Sequence, residues 1–228
     1  MVYPRRCPVC DDAVDLPGKL ICSGCAGGFK EVAEPYCLRC GRPLKNADAG
    51  TCTECRGRDR AFAGGRATYV YDDELKQSIY RFKYGGRREY ADHYADAMAG
   101  KLGGWMLSLK PDALIPVPIH KSRLKERGYD QAVLIAERLG KKLDIPVRND
   151  VLARSAKTRV QKELGAGERQ NNLKKALKIC SDVVKLKNVI LIDDIYTTGS
   201  TMDAAASVLK DAGAGGIYFA VLGIADKY

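Results

Sequence analysis

Histidine is nearly missing, with two in 228 residues. That speaks against a histidine-based catalytic dyad and against a histidine-ligated zinc enzyme. No apolar run approaches the length needed to span a bilayer, which argues against membrane insertion. The first residues, Met-Val-Tyr-Pro-Arg-Arg-Cys, lack the apolar core of a signal peptide, so the expected location is cytoplasmic. Acidic residues are outnumbered, 28 against 38 Lys and Arg, giving a net charge of +10. Such a balance favours anionic partners, either small phosphates or nucleic acid, and does not choose between them. The remaining composition, 46% hydrophobic and 29% charged, is that of a globular chain with one sizeable core and a small appendage.

Cysteine is abundant but confined. Eight of the nine lie within the first 55 residues as four Cys-x-x-Cys pairs: Cys7/Cys10, Cys22/Cys25, Cys37/Cys40 and Cys52/Cys55. Successive pairs start 15 residues apart. Eight thiolates make two tetrahedral four-cysteine zinc sites, closed and therefore structural. A segment this short and poor in large apolar residues needs such cross-links to fold. Disulfides are the competing reading and suit a secreted protein. Redox chemistry at one pair would leave the other three unexplained. Sequential pairing is expected, Cys7, Cys10, Cys22 and Cys25 on one ion and Cys37, Cys40, Cys52 and Cys55 on the other, with a cross-braced arrangement also compatible with the spacing. Arg39, Arg42, Arg56, Arg58 and Arg60, among the knuckles, suit either nucleic-acid contact or a solvated basic surface. Cys180 stands alone and is expected to be buried.

The chain then reads as alternating strands and helices. Gly57 to Gly65 is expected to be a linker, and Arg66 to Tyr71 a strand. Leu75, Ile79 and Phe82 mark a helix that ends near Gly85-Gly86, and a second helix covers roughly Glu89 to Met106. The cations Arg81, Lys83, Arg87 and Arg88 around that glycine pair fit a phosphate contact or a plain exposed turn. Asp112 to Pro118 is a short strand stopped by prolines. A basic loop follows, with Lys121, Arg123 and Arg127 as anion-binding candidates, and His120 either orients a phosphate or faces water. Val133, Ala136 and Leu139 build a helix ending near Gly140. Ile145 to Leu152 is expected to be a strand. Arg154 to Asn172, with weak apolar spacing, reads as a basic flap or as a nucleic-acid-binding strip. Ala214 to Ile224 is a last strand.

The most informative stretch is Val189 to Thr201. Four apolar residues suit a strand buried on both faces of a parallel sheet. Asp193 and Asp194 follow, then Thr197, Thr198, Gly199, Ser200 and Thr201. Met202, Ala205, Ala206 and Leu209 then share one face of a helix. A helix start with open amides suits a phosphate, and two adjacent carboxylates suit a vicinal diol. The implied ligand carries a diol about one sugar away from a phosphate. The plain alternative is a strand–turn–helix with a polar cap. No Gly-Lys-Ser/Thr follows, so this is not a Walker loop.

These residues resemble the phosphoribosyl-pyrophosphate (PRPP) motif of type I phosphoribosyltransferases. The resemblance implies that Asp193 and Asp194 bind the ribose hydroxyls and that residues 197–201 bind the 5′-phosphate. Pro-Val-Pro (116–118), the Arg-x-Lys-Glu-Arg-Gly-Tyr-Asp-Gln stretch (123–131) and the paired cysteines resemble the ComF family of competence-associated phosphoribosyltransferase-like proteins. Family members often show Phe-Asn where this chain has Tyr129-Asp130. The resemblance implies a double zinc ribbon over about 1–60 and an α/β, type I phosphoribosyltransferase-like domain with a mostly parallel sheet over about 61–228. It further implies Mg²⁺ with PRPP, a flexible loop bringing Lys157, Arg159 or Lys162 over the site, transfer or sensing of a phosphoribosyl group, and a link to DNA uptake. Single-stranded DNA and competence-machinery proteins are the implied partners. The second function class is a single-stranded nucleic-acid-binding factor without transferase turnover.

Overall fold

The computed structural model describes residues 4–155 and 173–226. Its centre is a four-stranded parallel sheet in the order β1-β6-β5-β2, with β1 at Gly64–Val70, β2 at Ala113–Pro116, β5 at Asn188–Tyr196 and β6 at Gly216–Ile224. A separate antiparallel pair joins β3 (Leu152–Arg154) to β4 (Leu177–Ile179). The helices are α1 (Asp73–Tyr84), α2 (Tyr90–Ser108), α3 (Lys121–Arg127), α4 (Gln131–Leu143) and α5 (Ser200–Asp211).

Side chains alternate across the sheet, and each face has its own core. Val189, Leu191, Ile217, Phe219 and Val221 pack with Met202, Ala205, Ala206 and Leu209 of α5. Ile190, Ile192, Ala220 and Leu222 pack with Phe82 of α1, Tyr94 and Met98 of α2, and Ile135 and Leu139 of α4. The uninterrupted apolar run of β5 is therefore covered on both sides, as a central parallel strand requires.

The front end does not hang from this core. Cys37, Cys40, Cys52 and Cys55 are buried within the α5-side cluster. Near the other knuckle, Ser78 Oγ and the Arg81 guanidinium donate to the Pro8 carbonyl, and Arg87 pairs with Asp11 at 2.7 Å. Gly57 to Gly65 differs from the expected linker: Arg60 and Phe62 are buried, and Phe62 meets Phe219 edge-on.

Four other expectations are corrected. The basic stretch after β2 contains helix α3, because His120 caps its start by accepting from Ser122 N and Gly128 ends it in the left-handed region. Helix α4 runs past Gly140 to Leu143, since that glycine is needed for close approach: a Cβ there would lie 2.5 Å from Val147 and 2.7 Å from the Ile145 carbonyl. Between Ile145 and Leu152 only Val147 bridges to the sheet, at Leu114, and the strand begins at Leu152. Cys180 is exposed, because it follows the short β4 instead of lying on a core face.

Candidate functional site

β2 and β5 are parallel neighbours, so their carboxyl ends open on the same edge of the sheet. A cavity of about 220 Å³ lies there. Its wall includes Asp193 and Asp194 from β5, Thr197 and Thr201 from the following loop and helix, Val117 to Ile119 after β2, Arg123 and Arg127 from α3, Gln131 from α4, Lys83 from α1 and Arg154 from β3.

Asp194 is 7% exposed and its Oδ2 lies 2.5 Å from Lys83 Nζ. Asp193 Oδ1 accepts from the Asp194 amide at 2.8 Å. Burial, and then the charge of Asp194, push the Asp193 carboxyl well above the ordinary carboxylate range, with the amide and Lys83 opposing.

The loop is built for close contact. Gly199 precedes α5 with φ of +80°, and a Cβ there would lie 2.3 Å from Tyr196 Oη. Gly199, at the N-cap, offers no capping side chain, and the Ser200 amide reaches Thr198 Oγ1 only at a long 3.4 Å. Thr198 Oγ1 and Ser200 Oγ are hydrogen-bonded to each other at 2.9 Å.

On the opposite wall, Arg127 donates to Gln131 Oε1 at 2.6 Å and to Tyr84 Oη at 2.9 Å. Gln131 is 2% exposed and its Nε2 has no partner among the described residues. Burial, and then the like charge of Arg123, push the Arg154 guanidinium down, with Asp193 opposing.

Of the residues expected from sequence, Asp193, Asp194, Thr197, Thr201, Arg123 and Arg127 share one cavity. Thr198, Gly199 and Ser200 form the adjoining turn. Lys121 opens α3, exposed and outside the cavity wall. Lys157, Arg159 and Lys162 lie outside the described residues. Sequence reasoning missed Gln131 as a wall residue and left Lys83 undecided, and Arg154, expected to open the basic flap, instead ends β3 and lines the cavity. Gln131 ends the Arg-Gly-Tyr-Asp-Gln stretch, which was the only available signal. Asp130 in that stretch has a structural role: it caps α4 through Ala132 and Val133 amides and accepts from Ile119 N, which ties the loop after β2 to the helix.

The cysteines form two groups, Cys7/Cys10/Cys22/Cys25 and Cys37/Cys40/Cys52/Cys55, with the sulfurs of each group within 4.8 Å of one another. The Cys10–Cys22 and Cys40–Cys52 sulfur separations are both 3.7 Å. A tetrahedron with zinc–sulfur bonds of about 2.3 Å has an edge of roughly 3.8 Å, so both groups fit structural zinc in the sequential pairing.

A parallel sheet flanked by helices, preceded by two such cysteine groups, defines a phosphoribosyltransferase-like protein with a double zinc ribbon. Residues 1–56 match the family model described as a double zinc ribbon domain, and residues 129–226 match the phosphoribosyl transferase domain. The chain is 32% identical over 214 residues to "Competence protein F" of Haemophilus influenzae, covering 91% of this chain and 92% of that protein. It is 29% identical over 212 residues to "Competence protein ComFC" of Bacillus subtilis, covering 86% and 80%. It is 26% identical over 223 residues to "DNA utilization protein YhgH" of Escherichia coli K12, covering 95% and 96%. The chain belongs to the competence protein F (ComF) family.

Proposed function

We propose that this protein binds PRPP with Mg²⁺ and handles its 5-phosphoribosyl group, as a transferase or as a sensor. One observation carries the reading: Asp193 and Asp194 lie in the carboxyl-terminal half of β5, ahead of the turn that leads into the hydroxyl-rich start of α5, and the cavity they face also holds Lys83, Arg123, Arg127 and Arg154.

Each part has a chemical counterpart in PRPP. The paired acids accept from the two ribose hydroxyls. The 197–201 turn donates to the 5′-phosphate at the start of α5. Arg123 and Arg127 face the diphosphate as charge-assisted donors. The residues also fit a divalent ion, because the crowded acids gain from a cation and hard oxygen ligands suit Mg²⁺. When bound, Mg²⁺ supplies charge neutralisation at the diphosphate. The protein holds the ribose by its hydroxyls, fixes the phosphate, and steadies the charge that accumulates on pyrophosphate as the bond from ribose C1 breaks. Lys157, Arg159 and Lys162 are proposed to close over the site and exclude water.

Calorimetry with PRPP and Mg²⁺ tests the reading. Binding is expected for the native protein and is expected to be lost in Asp193→Asn/Asp194→Asn. Absence of binding to the native protein at millimolar PRPP overturns it.

A second reading is favoured by the +10 charge and by the relatives' names, which refer to competence and DNA utilization. In it the protein grips single-stranded DNA, with competence-machinery proteins as partners and without turnover. Oligonucleotide affinity should then fall steeply with salt. Among the described residues no helix is long and apolar enough to cross a membrane. Both readings go with action in the cytoplasm.

A further inference from the structure

We propose that the second zinc knuckle aims the phosphate-binding turn, with Arg42 and Arg60 as positioning residues that hold its carbonyls from behind. The inference rests on the PRPP reading for the identity of the ligand, but the contacts themselves do not depend on it.

Arg42 follows Cys40 by two positions, and the Arg42 carbonyl accepts from the Cys37 amide at 2.7 Å inside the knuckle. The side chain is 1% exposed. Its guanidinium donates to the Thr197 carbonyl at 2.5 Å and, on its other arm, to the Ala225 carbonyl. One planar fork thus ties the turn after β5 to the chain leaving β6. Lysine, a point donor on a flexible stem, cannot span two carbonyls in this fixed geometry.

Arg60 lies just past the last knuckle cysteine and is 6% exposed. It donates to the Thr198 carbonyl and to the Glu54 carbonyl, both at 3.2 Å, and pairs with Asp203 of α5 at 3.3 Å. Asp203 also accepts from the Ala61 amide at 2.8 Å. The Arg60 carbonyl in turn accepts from Arg39 at 3.0 Å. Both ends of the turn, Thr197–Thr198 before it and Asp203 after it, are therefore held by the zinc-bearing segment.

The consequence follows from peptide geometry. In a planar trans peptide the C=O and the next N–H point in opposite directions. Holding the Thr197 carbonyl on Arg42 turns the Thr198 amide away from the ribbon. Holding the Thr198 carbonyl on Arg60 does the same for the Gly199 amide. These are the donors a phosphate at the turn would use. A four-thiolate zinc centre carries a net charge of about −2, which suits two guanidiniums buried on the same side of the sheet. The arginines do not serve as surface contacts for nucleic acid.

Hydrogen exchange read by mass spectrometry, with calorimetry on the same samples, tests the inference in Arg42→Lys and Arg60→Lys. Peptides covering residues 196–203 are expected to exchange roughly tenfold faster, and the Kd for PRPP with Mg²⁺ to rise roughly tenfold, for loss of one charged hydrogen bond. Zinc content and exchange in α2 are expected to stay at native values. Unchanged exchange across 196–203 in folded variants overturns the proposal. So does equal acceleration in α2, or failure of both variants to fold, since either assigns the arginines to general stability. If the native protein takes up no PRPP, the proposed function fails, while the exchange comparison still decides whether the turn is held this way.

Discussion

Lys83 Nζ lies 2.5 Å from Asp194 Oδ2, with the two side chains 19% and 10% exposed. The pair joins the last turn of α1 to the carboxyl end of β5 and balances one of two crowded acids. Removing one partner of such a pair leaves a largely buried charge alone. Lys83→Met is expected to lower unfolding free energy by about 3 kcal/mol in urea titrations. Lys83→Met combined with Asp194→Asn is expected to lower it less than Lys83→Met alone, because the stranded charge is then gone.

Asp193 trades stability for a site. Its carboxyl is raised by burial and by Asp194, so the folded state favours the protonated form. The stability contributed by that form is fully present below the ordinary carboxylate pKa and is lost as pH rises through the raised folded value. Asp193→Asn keeps an acceptor for the Asp194 amide without this loss. The variant is expected to gain on the order of 1 kcal/mol at neutral pH, with the gain shrinking toward pH 4, in denaturation series at several pH values. Its affinity for PRPP is expected to fall at least about tenfold. In the native protein, binding is expected to release protons, read as a dependence of the calorimetric enthalpy on the buffer's ionisation heat.

The two zinc sites are expected to differ in what they support. Cys37, Cys40 and Cys52 are at most 1% exposed and share a cluster with β5 and β6, whereas Cys10 is exposed and Cys22 and Cys25 are half-buried. Cys22→Ser should lower zinc content while the melting transition of the sheet moves by only a few degrees. Cys37→Ser should cost about 3 kcal/mol or more, as for a large core defect, and blunt the cooperative transition. Metal analysis with circular dichroism separates the cases.

His93 gives the fold a second pH dependence. Its ring packs near Phe29 and Tyr94, and its buried Nε2 has no partner among the described residues. Burial pushes its pKa below the ordinary 6.5, against a smaller opposing pull from Asp96. Below pH 6.5 the unfolded chain takes up a proton that the folded chain resists, so stability falls as the solution becomes more acidic. His93→Leu is expected to flatten the slope of unfolding free energy between pH 6.5 and 5. Zinc thiolates are shared by both proteins, so the difference between them isolates this residue.

Much of this was legible because it is local. The apolar run of β5, the acid pair and the hydroxyl turn carry their own pattern, and Cys-x-x-Cys spacing encodes a metal site within one segment. What escaped was mostly nonlocal. Nothing around Arg60 says that its guanidinium ends beside Asp203, 143 residues away. Lys83 looks like any cation beside a glycine pair until α1 is docked and its amine meets Asp194. Gly140 reads as a helix stop, and only the approach of Val147 explains why the helix continues through it. Cys180 fits the rule for isolated cysteines and breaks it because β4 belongs to a two-stranded pair off the main sheet.

The strand order has a bearing on biosynthesis. β6 follows the other described strands in the sequence yet lies between β1 and β5, pairing in parallel with both. Until residues 216–224 leave the ribosome, β1 lacks its parallel partner and has only the antiparallel bridge between Tyr69 and Glu31, and the Arg42 contact to Ala225 spans 183 positions. A nascent chain can load metal at residues 7–55 early, but its central layer closes only after residues 216–224 have been made, which predicts slow folding dominated by distant partners.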